Sequence, residues 1–283
     1  MSMITVLKAD QHVLEQPKSL SLAVEKLLLA FGGGDFFFQP GETVVFLLDL
    51  TLPAENERGV NFDIRLAYAL AALARSKGMK DILFAFRPAP GFPGDMVLER
   101  SGYQGLLAVE GVRFVDLSQE ENLLRTSQTA LSQDSLPICR CILQADVILS
   151  LVKYRAAEGR LFGSALHSME AVSPEAKGTE PQQQERTLVD LYDIIPPDLF
   201  LVDGLKGKEG FQPQQADFLL AAADAVAADA VLAAVGNIPV QTVESLCLAA
   251  QYGLGVGEPG GIALYGDDLA EIMKKEEGKK KKA

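Results

Sequence analysis

The stretch that most constrains this chain is Leu199-Phe-Leu-Val202, an apolar run that ends abruptly in Asp203-Gly204. Four to eight apolar residues closed by an acid and a glycine read as a parallel strand buried on both faces. Such a strand delivers its final carboxylate to the sheet's C-terminal edge, where open α/β sheets bind ligands. Beyond it come Lys206, Lys208 and Glu209, a second apolar run from Asp217 to Ala223, and then Asp224-Ala-Val-Ala-Ala-Asp229. This reading brings Asp203, Lys206, Lys208, Glu209, Asp224 and Asp229 to one mixed-charge crevice suited to a metal, an anion or a polar cofactor.

The same alternation runs through the chain. Strands are predicted over Ile4–Leu7, Thr43–Leu48 (closing on Asp49), Asp81–Phe86, Val112–Val115, Asp146–Leu151, Leu199–Val202, Asp217–Ala223 and Ile262–Tyr265. Between them the 3.6-residue period predicts helices, among them Asp63–Lys77, Asp95–Ser101, Pro137–Gln144, Glu185–Ile195, Val226–Val235 and Val240–Tyr252. The expected fold is therefore α/β, a largely parallel sheet flanked by helices. The rhythm loosens from 153 to 185, where glycines, prolines and a glutamine run predict an irregular, lid-like and mobile segment. A single domain is expected over 1–273, with 154–185 as the one place for a subdivision, followed by a basic, disordered tail over 274–283.

Charge narrows the partners. The 26 Lys and Arg against 38 Asp and Glu leave a net −12, and the tail from Lys274 to Lys282 carries six lysines against two glutamates. The remainder stands at −16, a surface that repels phosphate backbones, so nucleic acid is not an expected partner. No apolar run reaches the roughly 18 residues of a spanning helix, so no membrane partner is expected either. Three cysteines, Cys139, Cys141 and Cys247, make no disulfide framework, and no secretory signal opens the chain; a cytoplasmic protein is expected. Their spacing also excludes an intrinsic iron–sulfur cluster. Homo-oligomers stay open.

With only His12 and His167, histidine-rich metal sites are excluded and oxygen ligands remain for any metal, whose identity the sequence leaves unknown. Phe162-Gly-Ser-Ala-Leu-His167 sets Ser164 beside His167 without a Gly-x-Ser-x-Gly elbow. Gly253-Leu-Gly-Val-Gly257 follows a helix instead of a strand, so it reads as a helix stop, not a dinucleotide loop.

Several segments together resemble the domain-of-unknown-function 362 family, over most of Val44 to Gly266. They are Arg100-Ser-Gly-Tyr103 with Gly111-Val-Arg-Phe-Val-Asp-Leu117, Ala145-Asp-Val-Ile-Leu-Ser-Leu-Val-Lys153, Asp203-Gly with Glu209-Gly and Pro213, and Asp224-Ala-Val-Ala-Ala-Asp229. Where the family pattern runs Lys-x-Lys-Thr-His, this chain keeps Lys153 but has Arg155, Ala156 and Ala157. A Thr-Gly-Ala-Leu-Lys-Asn type segment becomes Gly163-Ser-Ala-Leu-His-Ser168. The ferredoxin-like cysteine clusters of many relatives are absent. A more distant similarity to lactate-racemase-like proteins implies a nickel cofactor attached to a lysine that this chain lacks at the matching place.

Two functions follow as expectations. One is a small-molecule enzyme in which Lys153, Arg155, Lys206 and Lys208 orient an anionic ligand, Asp224 and Asp229 complete the binding site, and His167, Asp203 or Glu209 moves a proton. The other is a non-catalytic ligand-binding or assembly protein that keeps the fold and has lost the basic motif.

Overall fold

The computed structural model describes residues 1–9, 15–157, 160–176, 180–205 and 217–271. Twelve strands occur among them: β1 (Ser2–Lys8), β2 (Thr43–Leu48), β3 (Asp81–Phe86), β4 (Val112–Asp116), β5 (Asn122–Thr126), β6 (Ser135–Cys139), β7 (Val147–Lys153), β8 (Arg155–Ala157), β9 (Arg160–Gly163), β10 (Leu199–Asp203), β11 (Phe218–Ala222) and β12 (Ile262–Gly266). The α-helices are α1 (Pro17–Leu29), α2 (Gly34–Phe37), α3 (Ile64–Ser76), α4 (Gly94–Ser101), α5 (Arg140–Leu143), α6 (Pro181–Ile194), α7 (Ala225–Val235) and α8 (Glu244–Gln251).

Eight strands form one sheet in the order β12-β1-β11-β10-β7-β2-β3-β4, and β5-β6 and β8-β9 are separate hairpins. Every neighbouring pair in the large sheet is parallel except the two that β11 makes, with β1 and with β10. The fold is thus α/β with a mostly parallel sheet, and β11 alone runs backwards.

Alternation along each strand divides the core in two. Val45 and Leu47, Phe200 and Val202, and Leu220 and Ala222 face α6, α7, α8 and the β5-β6 hairpin. Val44, Phe46 and Leu48, Leu149 and Leu151, and Leu199 and Leu201 face α1, α3 and α4. Both faces are covered, which is why these strands read as unbroken apolar runs.

Two expectations are corrected. Residues 135–139 are a strand, not the start of a helix over Pro137–Gln144; they pair with 122–126, and only Arg140–Leu143 is helical. Proline has no N–H for a helix interior but is tolerated in a two-stranded ribbon. The described part of the irregular region folds into the β8-β9 hairpin and short 3-10 turns, and Ala165, Leu166, Met169, Val172 and Ala176 are sunk in the core. Lastly, the reversal of β11 puts Asp224 at the edge opposite the C-terminal ends of β2, β7 and β10.

Candidate functional site

Strand order reverses between β2 and β7. From β2 the chain moves outward through β3 to β4, whereas from β7 it moves the other way to β10. Their C-terminal ends lie side by side while the following segments leave for opposite faces, which opens the crevice that doubly wound sheets use for ligands. Charged residues close these strands: Asp49 follows β2, Arg87 follows β3, Lys153 ends β7 and Asp203 ends β10.

On the face of α3 the result is a sealed ion pair. Lys153 Nζ donates to Asp203 Oδ2 at 3.0 Å and to the Leu205 carbonyl at 2.8 Å, and both side chains are buried. Asp203 also accepts the Asp63 N–H at 2.8 Å and the Leu205 N–H at 2.8 Å. Asp63 caps α3 by accepting the Arg65 N–H, so the positive end of that helix points at the pair. Burial pushes the Asp203 carboxyl above its ordinary value, with the Lys153 ammonium opposing.

On the other side of the strand ends lies an open cleft of about 60 Å³. Asp49, Arg87, Arg155, Ser164, His167 and Glu170 contribute its polar wall. Asp49 Oδ2 accepts the Lys153 backbone N–H at 3.2 Å and Arg155 Nη2 at 2.6 Å, and Arg155 Nη1 donates to the Val60 carbonyl. Gly163 brings the far wall close, because a Cβ there would collide with the Lys153 carbonyl and the Arg155 N–H.

Arg87 is buried yet lines the cleft. Its Nε donates to the Ala171 carbonyl at 2.9 Å and its Nη2 to Cys139 Sγ at 3.2 Å. Burial raises the Cys139 thiol above its ordinary value despite the guanidinium, so that partner is neutral. Among the described residues no carboxylate pairs with Arg87.

Behind the cleft, Asp229 on α7 accepts Ser164 Oγ at 2.7 Å, the Ala165 N–H at 2.7 Å and the Leu166 N–H at 3.1 Å. Burial lifts its pKa to about 6 against these bonds. Ser164 Oγ also lies 3.1 Å from His167 Nδ1, and His167 Nε2 lies 3.6 Å from Glu185 Oε1. Burial works against the imidazolium, but Glu185, Glu170 and Asp229 lift the His167 pKa above its ordinary value. Burial likewise works to raise Glu185, yet His167 and the Ser245 N–H hold it below the usual carboxylate range.

The expected constellation is therefore divided. Lys153 and Asp203 pair on one face; Arg155 and His167 line the cleft on the other, with Asp229 behind them. Asp224 caps α7 at the far edge, accepting the Val226, Ala227 and Val256 N–H groups and the Ser2 hydroxyl. Lys206, Lys208 and Glu209 lie outside the described residues, as does His12. Arg87 and Glu185 were not singled out from sequence, although Arg87 follows its strand as Asp203 closes its own. Among the described residues no group of three His, Cys, Asp or Glu is placed to hold a metal.

The fold and crevice define an α/β protein whose parallel strands present charged residues at a switch point. The chain belongs to the family described as Domain of unknown function (DUF362), whose model matches residues 44–234. It is similar to the thylakoid-associated protein sll1697 of Synechocystis sp., at 28% identity over 259 residues, covering 84% of this chain and 76% of that protein. A solved structure, the lactate racemase apoprotein from Thermoanaerobacterium thermosaccharolyticum, aligns at a TM-score of 0.35 and 13% identity over 72% of this chain; the chain spans 51% of that protein's length. Among the described residues no helix is long and apolar enough to cross a membrane.

Proposed function

We propose that the cleft between the ends of β2, β3 and β7 binds a small anionic molecule through a carboxylate, phosphate or sulfate-like group. The observation that carries this reading is Arg87, a buried guanidinium facing the cleft whose acceptors among the described residues are neutral. A buried cation without a counter-charge costs several kcal/mol, and an anion in the cleft offsets that cost. Arg155, paired with Asp49, and His167, facing Glu185, stand in the same wall with Glu170, and Ser164 supplies a hydroxyl, so the wall around Arg87 is polar and selects for polar ligands. The size fits: one water needs about 10–15 Å³, so the cleft takes one such group or a few waters, not a whole nucleotide.

Titration calorimetry and thermal melts with sulfate, phosphate and short carboxylates test the reading. The wild-type chain is expected to bind and melt higher, and Arg87→Gln is expected to bind about tenfold to a hundredfold more weakly, the worth of a charged hydrogen bond. No binding by the wild type, or equal binding by Arg87→Gln with an unchanged fold, overturns it.

A further inference from the structure

A hydrogen-bonded run leads from the cleft wall into the core, with an ion pair at its solvent end. Its members come from three elements: Glu185 on α6, Ser164 and His167 in the turn after β9, and Asp229 on α7. Glu185 Oε1 stands 3.6 Å from His167 Nε2, His167 Nδ1 stands 3.1 Å from Ser164 Oγ, and Ser164 Oγ donates to Asp229 Oδ2 at 2.7 Å. Ser164 and His167 line the cleft; Asp229 is fully buried, and Glu185 is partly open to solvent. The other charged groups on this wall are Glu170 from the same turn and Asp49, Arg87 and Arg155 from the strand ends.

A structural role accounts for part of this. Asp229 accepts the Ala165 and Leu166 N–H groups and so fixes the turn. It leaves unexplained why the one hydroxyl between Asp229 and the imidazole faces the cleft.

We propose, resting on the anion-binding reading of the cleft, that Glu185, His167, Ser164 and Asp229 form a proton relay, with His167 as the group that takes up or releases a proton when an anionic ligand binds. The step balances within the chain. His167 Nδ1–H passes its proton to Ser164 Oγ while the Ser164 hydroxyl proton passes to Asp229 Oδ2. An imidazolium and a carboxylate become a neutral imidazole and a carboxylic acid, and the reverse transfer restores them. A bound anion favours the imidazolium, so the proton moves toward the ligand and a further proton enters through Glu185 from solvent. Burial lifts Asp229 to about 6, so its carboxyl takes up a proton far more readily than an exposed aspartate, while the surrounding carboxylates favour the His167 imidazolium against its burial.

Inorganic sulfate is the probe, because its charge is constant between about pH 5 and 8 and all proton linkage then belongs to the protein. Calorimetry of the full chain in buffers of different ionisation enthalpy counts the protons. Sulfate binding is expected to take up part of a proton near neutral pH, with a Kd that rises by up to about tenfold per pH unit above the His167 pKa. His167→Gln is expected to remove the uptake. Because the chain has two histidines, that variant also assigns the His167 imidazole NMR signal. In the wild type this signal is expected to titrate in two steps, one following Asp229, and in Ser164→Ala in one. Sulfate binding without proton uptake, or the same one-step titration in wild type and Ser164→Ala, overturns the relay while the anion site stands. Failure of the wild type to bind sulfate at any pH overturns both.

Discussion

Lys153 and Asp203 show how little room single residues have at these strand ends. Each is buried and held by the other, by backbone groups and by the N-terminus of α3. Removing one partner strands a charge in the core, which costs far more than the pair contributes as a unit. Lys153→Met is therefore expected to lower stability by about 3–5 kcal/mol. The double variant Lys153→Met with Asp203→Asn is expected to recover most of that loss, because no charge is then left alone. Urea midpoints of the two single variants and the double variant measure this, and strictly additive losses would show that the groups do not act as a pair. Asp203 thus makes its described contacts within the protein, although an acid at a strand end reads from sequence as a ligand contact.

At the level of elements, the site depends on β9 passing close over the end of β7. Gly163 permits this, since a Cβ there meets the backbone of Lys153 and Arg155, which cannot move aside as a flexible side chain would. Gly163→Ala is expected to cost about 1–3 kcal/mol and to displace Ser164 and His167, weakening sulfate binding together with stability. A variant that melts and binds like the parent would show that the hairpin has slack. Strand positions and the charges that close them were legible because buried parallel strands are apolar throughout and stop sharply. Strand direction was not legible from the same pattern, since β10 and β11 are both unbroken apolar runs buried on each face. The missing clue lay between them. A parallel return usually runs through a helix, and the fourteen residues from Gly204 to Asp217, which include Gly204-Leu-Lys-Gly-Lys-Glu-Gly, have length enough but no helical period. Read that way, the stretch sends β11 back down the sheet and takes Asp224 away from the crevice. The helix expected at Pro137 failed for a related reason: a short apolar run cannot by itself separate strand from helix.

For the molecule as a whole, the buried titratable groups set how stability responds to acid. Asp229, at about 6, lies above the roughly 3.9 of an unfolded aspartate, so its contribution is full below about pH 4 and is lost as pH rises through 6. Asp203 is raised and acts in the same sense. His167 is raised as well, so its contribution holds below about pH 6.5 and is lost as pH climbs through its folded value. Glu185 is lowered and acts oppositely, its contribution present above about pH 4.3 and lost as pH falls through its folded value. Urea midpoints are expected to decline from about pH 5.5 to 8 by the equivalent of about 1–3 kcal/mol, and His167→Gln is expected to flatten the upper part of the decline. A midpoint that rises over this range would contradict the assignment. The place of β1 in the sheet has a consequence in time. This strand, Ser2–Lys8, is bracketed by β11 and β12, so its hydrogen-bonding partners are residues 218–222 and 262–266. On a ribosome it therefore emerges long before either partner exists. The β2-β3-β7 centre can assemble while one margin of the sheet stays unzipped, and a segment made well before its partners is among the last to dock.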